Sequence, residues 1–257
     1  MRREPLRLET TEDPVLGGRL VLRQPRRGHR VGHDAILLAA ATPAKAGEHA
    51  IDIGSGVGAA GLALAARVPG LAVTLVEIDP ALAALAEENV RRNGFADRVH
   101  ALADDVMAST RALAAAGLPG AADRVLMNPP FNDPATSNAS PDAARRLAHL
   151  SAAGIGPWLR SAGRLLRARG TLTLIWRADG LADLLAALAR GFGAVTVQPV
   201  HPRPGEAAIR VLVRATKGSR APLALLPGLL LADADGRPTD EAEAVLRHGA
   251  ALPLAAL

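Results

Sequence analysis

The chain of 257 residues has no cysteine and no tyrosine, and its three Phe and two Trp leave aromatics at 2%. Without cysteine there can be no disulfide, no thiolate metal site and no cysteine nucleophile. Apolar runs such as "DAILLAAA" and "LALLPGLLLA" are too short, or too broken by Pro and Gly, to span a bilayer. The opening "MRREPLRLET" lacks the apolar centre of a signal peptide, so a soluble cytoplasmic protein is expected, with no membrane partner. What is present is a 49% hydrophobic composition, enough for a large core of Leu, Val and Ala. The formal charge of +5 comes mostly from Arg. It favours a polyanionic partner only weakly, because Arg-rich composition alone would give the same number.

From His49 onward, strand-like and helix-like segments alternate. "HAIDIG", "LAVTLVEID", "RVHALADD", "DRVLMN", "GTLTLIW" and "AVTVQPV" read as strands. Ala59–Val68, Pro80–Arg92, residues around 141–168 and "LADLLAALAR" read as helices. The strands show no apolar–polar alternation, as expected where helices cover both sheet faces. The pattern predicts an α/β fold with a doubly wound, mostly parallel sheet. "EAAIRVLVRA" after "AVTVQPV" predicts an antiparallel hairpin at the sheet edge, and the tail predicts a short strand, a turn and a helix capped near Thr239. Residues 1–31 read as a basic N-terminal extension with a hairpin, and 32–257 as one domain that includes a C-terminal basic loop and tail. "GHDAILLAAAT" reads as a buried helix for which Asp34 is the favoured N-cap.

Two motifs carry chemistry. "IDIGSGVGAAG" (Ile51–Gly61) joins the first of these strands to its helix, and Gly54, Gly56 and Gly58 let a ligand approach the main chain. The spacing also suits a dinucleotide. Asp52, just before the glycines, would repel a pyrophosphate but attract the ammonium group of S-adenosylmethionine. Glu77, closing "TLVEID", can accept both ribose hydroxyls, with Ile78 flanking the adenine and Asp105, or alternatively Asp104, meeting its amino group. For either of these last two, a solvated turn carboxylate is an equal reading. The second motif is "NPPF" (Asn128–Phe131), which ends the fourth strand of the alternating series. A conjugated amine is a poor nucleophile because its lone pair is delocalised. Two acceptors on its N–H groups, the Asn128 side-chain oxygen and the Pro129 carbonyl, would turn the nitrogen toward tetrahedral geometry. The prolines hold those acceptors stiffly, and Phe131 offers a flat face to a planar substrate.

"DIGSGVG", "VEID" and "NPPF", in this order and spacing, resemble the class I S-adenosylmethionine-dependent amino-methyltransferases. "VGHDAILLAA", "MNPPFND" and "QPVHPRPGEAAIRVLVRATKGSR" narrow the resemblance to the bacterial tRNA(Val) adenine-N6 methyltransferases, over about residues 10–250. The resemblance implies a seven-stranded Rossmann-like sheet, S-adenosylmethionine as cofactor, no metal, and tRNA as substrate. It assigns Asp52, Gly54 and Gly56 to the methionine end of the cofactor, Glu77 to its ribose, and Asn128, Pro129 and Phe131 to the target base, with Asn128 also lining the cofactor site. "HD" at His33–Asp34 departs from the Thr-Asp common in relatives, and a place near the cofactor is the alternative to the N-cap for Asp34.

Arg26 and Arg27 in "RQPRRGHR", with Lys217 and Arg220 in "RATKGSR", are the candidate phosphate contacts, and a solvated surface charge is an equal reading for each alone. His149 and His201 read as ordinary surface or packed histidines. The competing functions are glutamine-N5 protein methylation, which favours Asn-Pro-Pro-Tyr and a helical domain before the glycine loop, and guanine-N2 methylation of rRNA. A nicotinamide dehydrogenase would leave "NPPF" unexplained, and a non-catalytic RNA-binding relic should lose cofactor affinity.

Overall fold

The computed structural model describes residues 9–27, 30–107, 114, 115, 117–130 and 154–256. Phe131 and His149 lie outside them.

Two of the six α-helices among the described residues start at a side-chain cap, and the others rest on their apolar faces. Helix α1 (His33–Ala41) is buried through most of its length, and α2 (Ala59–Arg67) follows the glycine loop. Helix α3 (Pro80–Arg92) opens with Pro at its first position while Asp79 accepts a hydrogen bond from the Ala81 N–H. Asn93 closes it, and Gly94, at φ 75°, turns the chain away. Helices α4 (Gly156–Leu165) and α5 (Leu181–Leu188) follow. The last helix, α6 (Asp240–Leu246), is capped by the Thr239 side chain, and its first turn is acidic, which suits the positive end of the helix dipole.

The main sheet contains β3 (His49–Ile53), β4 (Ala72–Glu77), β5 (Val99–Ala103), β6 (Ala122–Met127), β7 (Leu166–Arg177), β8 (Phe192–His201) and β9 (Arg210–Lys217). Across the sheet they run β8-β9-β7-β6-β3-β4-β5. The pairs from β7 through β5 are parallel, whereas β9 is antiparallel to both β7 and β8. The expected antiparallel hairpin therefore closes one end of the sheet, with β9 inside and β8 outside. Two-residue strands β10 (Ala224–Leu225) and β11 (Leu229–Leu230) run along β8.

One core cluster, built around Leu37, Leu38, Leu62, Leu64 and Leu75, lies under α1, α2 and α3. The other, with Ile51, Ile53, Met127, Trp158 and Leu172, lies under α4 and α5. This two-sided coverage explains why the strands read as continuous apolar runs. From β3 the chain first builds outward through β4 and β5, then returns to the other side of β3 as β6. That reversal leaves a crevice beyond the carboxyl ends of β3 and β6, the place where open α/β sheets hold ligands.

Strands β1 (Thr10–Val15) and β2 (Leu20–Pro25) form a separate antiparallel hairpin. Side-chain amides of α3 act as its next neighbour. Asn93 Oδ1 accepts from the Val21 N–H at 3.0 Å, and Asn89 both accepts from the Arg23 N–H (2.7 Å) and donates to the Arg23 carbonyl (2.9 Å). Asn89 also donates to the Val57 carbonyl at 3.0 Å, which ties the hairpin to the glycine loop. No helix among the described residues is long and apolar enough to cross a membrane.

Candidate active site

The crevice is a cleft of about 480 Å³, within the range of small-molecule sites. It collects the expected cofactor and target-base residues that the structure describes: Asp52, Gly54, Gly56, Glu77, Ile78, Asn128 and Pro129. Asp104 and Asp105 line it together, each with one carboxylate oxygen on a backbone N–H (those of Asp105 and Met107, both at 2.8 Å).

The glycine loop has the geometry that its spacing requires. Gly54 and Gly56 sit at φ 71° and 57°, a region costly for any residue with a Cβ. At Gly54 a Cβ would come within 3.0 Å of the Trp158 ring, whereas at Gly56 it would meet nothing within 4 Å. Gly56 thus keeps its main chain open to a ligand, and Gly54 makes room for an indole.

The two acidic residues are already anchored by backbone. Asp52, 2% exposed, accepts from the Gly61 N–H in the first turn of α2 at 2.9 Å. Burial pushes its carboxyl up to about 7 from an ordinary 3.8; the Gly61 N–H works against that, and the nearby charge of Glu77 adds to it. Glu77, 7% exposed, accepts from the N–H groups of Gly56 (2.8 Å) and Asp79 (2.9 Å), one on each oxygen. Burial raises its pKa too, while those two N–H groups pull it down. Two buried carboxylates side by side are a poor seat for a pyrophosphate and a good one for a cation and a pair of hydroxyls.

Across the cleft, β6 ends in register with β3, Met127 beside Ile53, so Asn128 and Gly54 emerge as neighbours. The Asn128 side-chain oxygen is buried with no hydrogen-bond partner among the described residues. An unmet buried acceptor is costly and calls for an explanation. A donor arriving with a ligand supplies one. Pro129 is buried beside it.

Two features were not legible beforehand. Trp158 of α4, 5% exposed, walls the cleft against Gly54. Arg30 and Val31, from the segment between β2 and α1, also line it. Asp34 does not cap α1: the N-cap is Gly32. The Asp34 carboxylate instead lines the cleft and pairs with Arg210 at 2.9 Å, because β9 delivers that guanidinium to the start of α1. His33 is exposed at the cleft wall, and His201 bonds the Glu206 carbonyl through Nδ1 at 2.8 Å.

The candidate phosphate contacts separate. Arg26 and Arg27 are exposed just after β2, a few residues before Arg30 of the cleft. Lys217 and Arg220 are not near the cleft. Thr216 pairs with Thr171, which itself pairs with Arg124 near the amino end of β6, so Lys217 and Arg220 lie on the opposite edge of the sheet, a strand length of roughly 15 Å away.

Residues 29–199 match the family model for the methyltransferase small domain. The chain belongs to that family. It is 36% identical to a tRNA1(Val) (adenine(37)-N6)-methyltransferase of Porphyromonas gingivalis, over 60% of this chain and 61% of the relative. It is 32% identical to the protein of the same name from Serratia proteamaculans, over 82% of this chain and 80% of that one. Thus the chain spans about three fifths of the first relative's length and four fifths of the second's. Among solved structures, a predicted O-methyltransferase of Agrobacterium tumefaciens superposes with a TM-score of 0.72 at 32% identity, covering 85% of this chain and 98% of that one. The M. jannaschii TYW2 complex with AdoMet, at 15% identity and a TM-score of 0.57, covers 82% of this chain and 86% of that one and shares the fold. The buried Asp52 and Glu77 and the open main chain at Gly56 fit S-adenosylmethionine as the methyl donor.

Proposed function

We propose that this methyltransferase acts in the cytoplasm on tRNA, methylating N6 of an adenine, namely adenosine 37 next to the anticodon of tRNA(Val). The observation that carries the reading is the buried, unpartnered Asn128 oxygen at the end of β6, followed by two prolines at the cleft wall. The names of the Porphyromonas and Serratia relatives support the substrate.

S-adenosylmethionine supplies an electrophilic methyl group on a sulfonium sulfur. Asp52 pairs with the ammonium of the methionine end, Glu77 accepts from the ribose hydroxyls, Ile78 flanks the adenine, and Asp105 or Asp104 meets its amino group. On the substrate side, Asn128 Oδ1 and the Pro129 carbonyl accept the two N–H bonds of the target amine. That draws its lone pair out of conjugation and orients it. A neutral acceptor suits an amine, which keeps its protons until the transfer is under way, better than a hydroxyl, which would call for a base at that position. Phe131 stacks on the base. Arg26, Arg27, Lys217 and Arg220 contact phosphates.

Total tRNA from a strain lacking the protein tests this. N6-methyladenosine is expected to disappear from tRNA(Val) and to return when the gene is restored. An unchanged nucleoside profile, with a methylated glutamine or a methylated rRNA guanine missing instead, would overturn it.

A further inference from the structure

Between Gly154 and Ala232 the chain carries eleven Arg and Lys residues against three acidic ones, Asp179, Asp183 and Glu206. From Glu9 to Pro130 there are fourteen acidic residues against twelve basic. Folding turns this imbalance into a path. Helix α4 starts at the cleft, where Trp158 lines the wall, and ends at the opposite edge, where the Gly120 N–H bonds the Arg164 carbonyl at 3.0 Å. It has no acidic residue, and Arg160 is exposed one turn from its start. Beyond it, Arg167 and Arg169 are exposed at the beginning of β7. Lys217 donates to the Leu166 carbonyl at 2.6 Å, and the Gly218 N–H bonds the Gly191 carbonyl at 2.9 Å, which brings Arg190 alongside. Gly193 abuts the Ser219 carbonyl, which sets the exposed Arg220 in the same group. The acidic side chain bonded within this cluster is Asp123, to Arg167 at 2.6 Å.

Arg169 holds φ 63° immediately before Gly170, a left-handed conformation that glycine would adopt without strain, so glycine can remove its guanidinium at no backbone cost.

We propose that Arg160, Arg167, Arg169, Arg190, Lys217 and Arg220 form a phosphate track that leads from the cleft across α4 to the far edge of the sheet, and that it carries the backbone of the RNA whose base enters the cleft. This rests on the RNA reading above. It accounts for how Lys217 and Arg220 can serve a substrate whose reacting base lies on the other side of the sheet. A long structured RNA reaches both places, and a short oligonucleotide does not. Phosphate contacts of this kind position the RNA without reading its sequence.

The test is anisotropy binding of a full-length tRNA(Val) transcript to the whole protein, over about 50–200 mM salt. For R169A/R190A/R220A the slope of log affinity against log salt should become shallower by about 2 to 3. The control K45A/R91A removes two exposed charges from the other half of the chain and should leave the slope as in the unmodified protein. R169G relieves the backbone strain while removing the guanidinium, so it should weaken tRNA binding without lowering the melting temperature. Should the triple variant keep the full slope, or the control lose as much, the track is wrong while the RNA reading stands. Should the unmodified protein show no salt-dependent tRNA binding, the RNA reading fails with it.

Discussion

The two sides of the cleft are built on different principles. On the β3–β4 side both carboxylates are held by their own neighbourhood, Asp52 by Gly61 and Glu77 by Gly56 and Asp79, in a loop of glycines at left-handed angles whose Ser55 hydroxyl is buried without a partner among the described residues. On the β6 side the decisive atom, Asn128 Oδ1, has no partner among the described residues, and the surface beyond it is dominated by arginine. A pre-satisfied site suits a small cofactor that must be held in one pose through every turnover. An unsatisfied acceptor beside a basic surface suits a large anionic substrate whose donor completes it. The contrast shows where binding energy is stored before either ligand arrives.

The largest expected effect falls on the unsatisfied side. Asn128→Ala removes an acceptor that matters most as the amine becomes tetrahedral, so kcat should fall roughly a hundredfold, the loss of one preorganised polar contact. Cofactor affinity should hold, since Asn128 lies across the cleft from Asp52 and Glu77. Single-turnover rates beside a cofactor titration check both halves of the statement. Phe131→Ala should lose about 1–3 kcal/mol of stacking and so weaken tRNA binding as well as slow turnover, read as a rise in KM.

A smaller effect, with a pH signature, belongs to the satisfied side. Asp52 is neutral below about 7 in the free protein, and only its ionised form pairs with an ammonium. Affinity for S-adenosylmethionine should therefore climb as pH rises through 7, and Asp52→Asn should lower it roughly tenfold at pH 8, one charge-assisted contact, and flatten the climb. Calorimetry at several pH values measures it. Stability should move the opposite way. Because the folded value lies above the unfolded one, the favourable contribution of Asp52 is fully present below about 3.8 and is lost as pH rises through about 7. Asp52→Asn should thus compare better with the unmodified protein in melting temperature at pH 8 than at pH 5. Equal differences at both would show that the carboxyl titrates normally.

The two sides also differed in how far the sequence alone could take them. The glycine loop, "VEID" and "NPP" were legible because each motif is local, and parallel strands bring their carboxyl ends to one edge whatever the loops do between them. Trp158 was not legible: one tryptophan in a helical stretch carries no sign that it faces Gly54, about a hundred residues earlier in the chain. Nor was the partner of Asp34, since the Arg210 it pairs with is 176 residues away and arrives through an antiparallel strand. A helix-start pattern pointed to a cap there, and a tertiary ion pair won. Lys217 and Arg220 stood out as charges, but only the pairing of β9 with β7 revealed that they face away from the cleft.

The account as a whole stands on the claim that a cofactor side and an RNA side meet at one adenine nitrogen. The most direct measurement gives the purified protein an unmodified tRNA(Val) transcript and S-adenosylmethionine carrying a labelled methyl group, then maps the label by nuclease digestion and mass spectrometry. The account predicts a single labelled nucleotide, N6-methyladenosine, immediately 3′ to the anticodon. Label on a guanine, on a ribose or elsewhere in the RNA, or none while a protein glutamine accepts it, would contradict it.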